Sequence, residues 1–219
     1  MVYNVIIKIT VGYGTLKITP KEKSLTNYGF FALAFRQKYI KRWGLMYNIS
    51  EETLSEHACE VAMVAHALAL IGNRIYAKSY NADRIALLGV FHDVPEVYTG
   101  DLPTPIKYFN TTSKESYREI EKKAIETLLA KLPGELVQDY REMFYYEEKD
   151  PDAKRLIKAA DKICAYIKCL DEERCGNNEF SSAKKTLLAS LEELDCIEAR
   201  YFMDNFLSSF NMTLDELQN

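Results

Sequence analysis

Two of the three histidines in this chain, His57 and His92, have carboxylates placed to act with them. His92 is followed directly by Asp93, and Asp161 lies far downstream. Two imidazoles and two carboxylates form a mixed nitrogen/oxygen donor set, which suits a divalent transition metal with coordination positions left open. An open position is what metal-assisted hydrolysis needs. Cobalt, manganese, iron, zinc and nickel are all compatible with such ligands.

Each residue also has a plainer reading. His66 follows His57 by nine residues, half a turn away at about 100° per residue. The two histidines therefore face opposite ways, and His66 reads as a packing or hydrogen-bonded histidine. Asp161 sits mid-helix among Ile157, Cys164 and Ala165, where a bare carboxylate is costly. A salt bridge to Lys158 or Lys162 and a bound cation both answer that cost, and spacing alone leaves both open. Glu96 and Asp101 follow His92-Asp93 in a loop, and solvation is the common fate of such acids. Arg42-Trp43, holding the single tryptophan, reads either as a helix boundary with Arg42 facing solvent or as a site element. A guanidinium can grip phosphate through two parallel hydrogen bonds.

The elements that must position these groups read as helices. Asn27 to about Arg42 forms one, with Phe30, Phe31, Ala34 and Phe35 as an apolar stripe. Thr53-Leu54-Ser55-Glu56 is a capping box, opening a helix that carries His57 and stops at Gly72-Asn73. Asn81 caps a third, on which Ile85, Leu88 and His92 recur. Three prolines and Gly100 make Val94–Pro105 an irregular, stiff loop. Ser113–Leu132 is amphipathic, with Ile120, Ala124, Leu128 and Leu132 on one face, and Glu135–Glu148 forms another helix. Asp150 caps a helix with Pro151 at its first position, running to about Arg174. A final pair spans about Phe180 to Phe210; Tyr201, Phe202, Phe206 and Phe210 either serve a partner or close the core. Before all this, β-branched residues flank Gly12-Tyr13-Gly14, a pattern for a short hairpin. The division expected is an extension over 1–26 and one domain over 27–219.

The chain has 219 residues, 47% of them apolar, enough for one sizeable core. A net charge of -4 argues against a nucleic-acid polymer as partner. Five cysteines without a C-x-x-C pair read as free thiols of a reducing cytoplasm. The longest apolar run is far short of a membrane span, and no signal peptide is evident.

The ordered segments LSEHACEVAMVAHALA, ALLGVFHDVPEVYTGDLPTPIKYF and LIKAADKICAYIKCLDE resemble the HD-domain phosphohydrolases, and among them the bacterial 5'-deoxynucleotidases, from about Phe31 to about Leu214. The resemblance implies an all-α helical bundle, to which the N-terminal hairpin is an addition outside the resemblance, and one metal ion held by His57, His92, Asp93 and Asp161. It implies removal of the 5'-phosphate from 2'-deoxyribonucleoside monophosphates, with Arg42 orienting the phosphate. Glu96 moves a proton or positions water, and Asp101 orders the phosphate side. Trp43 crowds the sugar's 2' position. Asp93, Leu102, Pro103, Thr104 and Asp161 complete the substrate contacts. The resembled family tends to be dimeric, which implies a homodimer. The alternatives are another HD-domain nucleotide phosphohydrolase, either a cyclic-nucleotide phosphodiesterase or a triphosphohydrolase, and a non-catalytic nucleotide-binding module.

Overall fold

The computed structural model describes residues 9–11, 14–16, 27–107 and 109–218, with backbone alone at 9–11, 14–16, 104 and 105. Strands β1 (Ile9–Val11) and β2 (Gly14–Leu16) pair antiparallel. Gly12 and Tyr13, the expected turn, lie outside the described residues. The rest is helical.

The first helix is shorter than its pattern predicts. α1 spans Phe30–Ala34, and Phe35–Tyr39 continues as a 3-10 turn. Of the predicted stripe only Phe30 and Ala34 are buried, while Phe31 and Phe35 stay exposed. The chain then extends and meets itself. Lys41 bridges Thr53, the Arg42 N–H donates to the Glu52 carbonyl, and the Leu54 N–H donates to the Ile40 carbonyl. That pairing ends the helix before Arg42.

α2 (Leu54–Ile75) begins at Thr53 with the capping box complete in both directions. It runs past Gly72-Asn73. The Asn73 side chain bonds the backbone of Tyr80 instead of ending the helix, and the turn falls at Ala77, in left-handed backbone. α3 (Ala82–Phe91) is capped by Asn81 as expected. α2 packs on α3 and on the long α9 (Pro151–Arg174), whose cap is Asp150 with Pro151 in the first turn. These three helices and α11 (Ile197–Phe206) enclose the larger core, including Val61, Leu68, Leu88, Leu156 and Ile163. α2 is long and apolar enough by composition to cross a membrane; its burial against α3 and α9 accounts for that apolarity. At the α2–α3 crossing the backbones nearly touch. A Cβ on Gly89 would stand 3.0 Å from the Ala62 Cα, so a larger residue there would press the two backbones apart by a few tenths of an ångström.

Val94–Pro105 is not wholly irregular. It contains α4 (Glu96–Thr99), and α5 (Thr104–Lys107) overlaps its end, because Pro95 and Pro103 suit helix starts. α6 (Thr111–Leu129) and α7 (Gly134–Phe144) form a second core with Phe30 and Val94. Leu128 and Leu132 are buried there and Ala124 is buried beside them in sequence, but Ile120 is half exposed, contrary to the predicted face. α8 (Tyr146–Lys149) breaks the predicted helix over 135–148 at Tyr145. α10 (Ser181–Glu192), α11 and α12 (Leu214–Gln218) finish the chain. Phe202 is core; Phe206 and Phe210 are partly exposed. The five cysteines are free thiols, with Cys59 and Cys175 exposed.

Candidate metal and phosphate site

His57 lies in the first turns of α2 and is fully buried. His92 caps the end of α3, and Asp93 follows in the turn that leads to α4. Donor atoms of His57, His92 and Asp93 all lie within 4.8 Å of one another. Asp161, on α9, places Oδ1 3.0 Å from His57 Nε2. The helix end resolves how adjacent residues can converge: past the last turn, Asp93 Oδ2 reaches 3.0 Å from His92 Nε2 and 3.9 Å from His57 Nε2. Asp161 contacts His57 rather than Lys158 or Lys162 and is 41% exposed, so its surroundings are less apolar than its helical neighbours suggest. His66 lies apart, half exposed, with Nε2 3.7 Å from Asp83.

The chemistry of these donors fits a divalent ion. His92 Nδ1 donates to the Gly89 carbonyl at 2.7 Å, which turns Nε2 toward the cluster. That Nε2 is buried and has no hydrogen-bond partner. Burial disfavours the His92 imidazolium, yet the Asp93 carboxylate more than reverses this, to about 9. Burial likewise opposes the charge on Asp161, and His57 outweighs it, holding the carboxyl below its usual value. The cluster thus favours positive charge at its centre.

Arg42 does not face solvent. Its side chain is 10% exposed, and Nη1 donates to Glu52 Oε2 at 2.8 Å. Nε is buried without a partner. Burial works against the guanidinium charge, and Glu52, Asp161, Asp93 and Asp101 together raise its pKa. Trp43 sits in left-handed backbone, φ 59°. Its N–H donates to Asp101 Oδ2 at 3.1 Å, its Nε1–H to Glu52 Oε2 at 3.0 Å, and its ring packs edge-on against Phe180. Gly100, φ 71°, closes α4 and turns the chain so that Asp101 reaches Trp43. The loop after Trp43 is pinned to α9. Glu172 accepts the N–H groups of Ile49 and Ser50, and Asn177 donates to the Tyr47 carbonyl.

Glu96 is 6% exposed. Oε1 accepts from Lys107 Nζ at 2.6 Å and more weakly from Tyr117 at 3.4 Å; Oε2 is buried with no partner. Burial and then the Asp93 charge push its pKa up to about 7, against the pull of Lys107. Leu102 and Pro103 are half-buried, and the Pro103 carbonyl accepts from Ile106 and Lys107 at the start of α5. The Thr104 side chain lies outside the description.

The sequence reading missed Glu52, Lys107 and Tyr117. Glu52 stands beside Glu51 just before a helix cap and looks like an acid favouring a helix start. Lys107 and Tyr117 belong to no pattern; only the fold brings them to Glu96.

Residues 29–210 match the model of a family described as 5'-deoxynucleotidase YfbR-like. A 5'-deoxynucleotidase of Vibrio cholerae is 50% identical over 188 residues, covering 86% of this chain and 97% of that protein. An HD-domain phosphohydrolase from Listeria innocua shares the fold with TM-score 0.74 at 19% identity, over 88% of this chain and 92% of its own. Cyanophage S-2L DatZ, an HD phosphohydrolase solved with dA and one catalytic Zn2+, shares it with TM-score 0.60 at 20% identity, over 83% and 96%. Matched along its helical body by both sequence and fold, the chain belongs to the YfbR-like 5'-deoxynucleotidase family.

Proposed function

We propose that this protein hydrolyses 2'-deoxyribonucleoside 5'-monophosphates to deoxynucleoside and phosphate, using one divalent transition metal. The observation that carries the reading is the juxtaposition of a buried, incompletely bonded guanidinium with the His/Asp cluster. Arg42 supplies charge and free N–H groups, which suit a phosphate dianion, and a metal store has no use for them. In this reading His57, His92, Asp93 and Asp161 hold the ion. When bound, such an ion polarises a phosphoryl oxygen and lowers the pKa of water.

The remaining work falls to the chain's own groups. Arg42, fixed on one side by Glu52, orients the phosphate with its other N–H groups. Glu96, titrating near neutrality, is suited to carry a proton between the attacking water and the leaving 5'-oxygen. Its unpartnered Oε2 is the atom for that transfer. Trp43 forms a rigid wall at the sugar, refusing the 2'-hydroxyl. Asp101 holds Trp43's backbone in place, and Leu102, Pro103 and Thr104 border the substrate. The same reading takes 27–219 as the catalytic domain, 1–26 as an extension and the enzyme as a cytoplasmic homodimer.

The test is a phosphate-release screen over paired deoxy and ribo 5'-monophosphates, with cobalt, manganese, iron, zinc and nickel supplied in turn. Preferential release from the deoxy substrates is expected. Release of tripolyphosphate from triphosphates, or no release from any monophosphate, overturns the assignment.

A further inference from the structure

We propose that Glu52 is a positioning residue through which the metal-binding, phosphate-binding and sugar-binding parts of the site are coupled. The inference rests on the function proposed above and goes beyond it, since Glu52 itself holds neither metal nor substrate.

The two short extended segments that pair at Lys41 and Thr53 alternate their side chains. Lys41 and Glu51 form an exposed ion pair on one side, and Arg42 and Glu52 a buried one on the other. The inward carboxylate divides its oxygens between tasks. Oε2 accepts from both Arg42 Nη1 and Trp43 Nε1. Oε1 is buried, has no hydrogen-bond partner and faces His57 Nδ1 across 3.5 Å. His57 Nδ1 is itself buried and unpartnered. A small approach of these two atoms makes a hydrogen bond in which Nδ1–H donates to the carboxylate. Nε2 lies 3.0 Å from Asp161 Oδ1 and faces Asp93, and with Nδ1–H committed to Glu52 the Nε2 lone pair would be the one available to an ion there. His92 obtains the same tautomer from the Gly89 carbonyl. Carboxylates in this position orient an imidazole and raise its basicity toward a metal.

The competing view is that Glu52 only neutralises Arg42. The two views differ in what happens at His57. Glu52→Gln keeps the shape and one carbonyl oxygen for Arg42 and Trp43. Its amide NH2, facing Nδ1, forces the wrong tautomer on His57 or gives no bond. The measurement is metal affinity by chelator competition, using Co2+ and Zn2+ with no substrate present. Loss of an orienting partner costs typically 10–100-fold in metal affinity, and that loss is expected in Glu52→Gln and Glu52→Ala. In Glu52→Ala the KM for a deoxynucleoside monophosphate also rises and the deoxy/ribo ratio of kcat/KM narrows. Trp43→Ala narrows the ratio with metal affinity unchanged, which separates the sugar wall from the metal side. Wild-type metal affinity in Glu52→Gln overturns the proposal, as does a loss of melting temperature in both variants with affinity and ratio intact. Failure of the wild-type enzyme to release phosphate would instead remove the functional reading and leave the metal titration to judge the His57 link alone.

Discussion

Asp101 offers a test in which backbone strain and catalysis can be separated. Trp43 is a bulky residue at φ 59°, a conformation costing roughly 1–2 kcal/mol for a side chain with Cβ. Its N–H bond to the Asp101 carboxylate offsets this, since a hydrogen bond to a charged group contributes roughly 1.5–3 kcal/mol. Asp101→Ala removes the acceptor and leaves the strain unopposed, so the Arg42-Trp43 segment relaxes. With about 1.4 kcal/mol per tenfold, kcat/KM should fall about 10–100-fold. Asp101→Asn keeps an oxygen for the Trp43 N–H. A neutral bond is weaker by roughly 1 kcal/mol, so the loss should be about tenfold or less. Steady-state kinetics gives the first readout. Fluorescence gives the second, because Trp43 is the only tryptophan in the chain and its emission reports its own displacement. Equal losses in both variants, with Trp43 emission unchanged, would refute the reasoning and assign Asp101 to charge chemistry at the substrate.

Three further outcomes are expected. Asp161→Ala should abolish phosphate release and bound metal together; elemental analysis showing a full equivalent of ion in the variant would refute its place among the ligands. Glu96→Ala should retain its metal and lose about 10²-fold or more in turnover, the usual scale for a positioned acid or base, and full turnover would move proton transfer elsewhere. Glu198 is fully buried, and although burial raises its pKa, the bonds from Arg155, Tyr80 and Cys196 outweigh that and hold it at about 2. Its folded value lies below the ordinary 4.5, so its contribution to stability is present above that pH and lost as pH falls toward 2. The gap in melting temperature between wild type and Glu198→Gln should therefore shrink over that interval, whereas a constant gap would show that the charge contributes nothing.

Much of the candidate site was legible because its groups are announced locally. The Thr53 capping box fixes the face of α2 on which His57 lies, and Asn81 and Asp150 fix α3 and α9 by the same chemistry. What was hidden depends on pairing between distant segments. The 40–42 and 52–54 contact turns a predicted helix end into extended chain and carries Arg42 inward, and no period in either segment signals it. The same holds for Lys107 and Tyr117, which meet Glu96 through the packing of α5 and α6 beside α4. The exposed Phe31, Phe35 and Ile120 mark where an apolar stripe was wider than the surface available to bury it.

The contact of Gly89 with Ala62 gives the crossing of α2 and α3 the character of a caliper. One jaw carries His57 and the other ends in His92, with ring centroids 5.5 Å apart. That gap is set where the α2 and α3 backbones approach closely at Ala62 and Gly89. Gly89 also supplies the carbonyl that orients His92, so the residue that sets the span sets the aim as well. The spacing of the two imidazoles is thus a dimension of the hydrophobic interior. A single methyl added at the crossing would crowd the Ala62 backbone and press on that spacing.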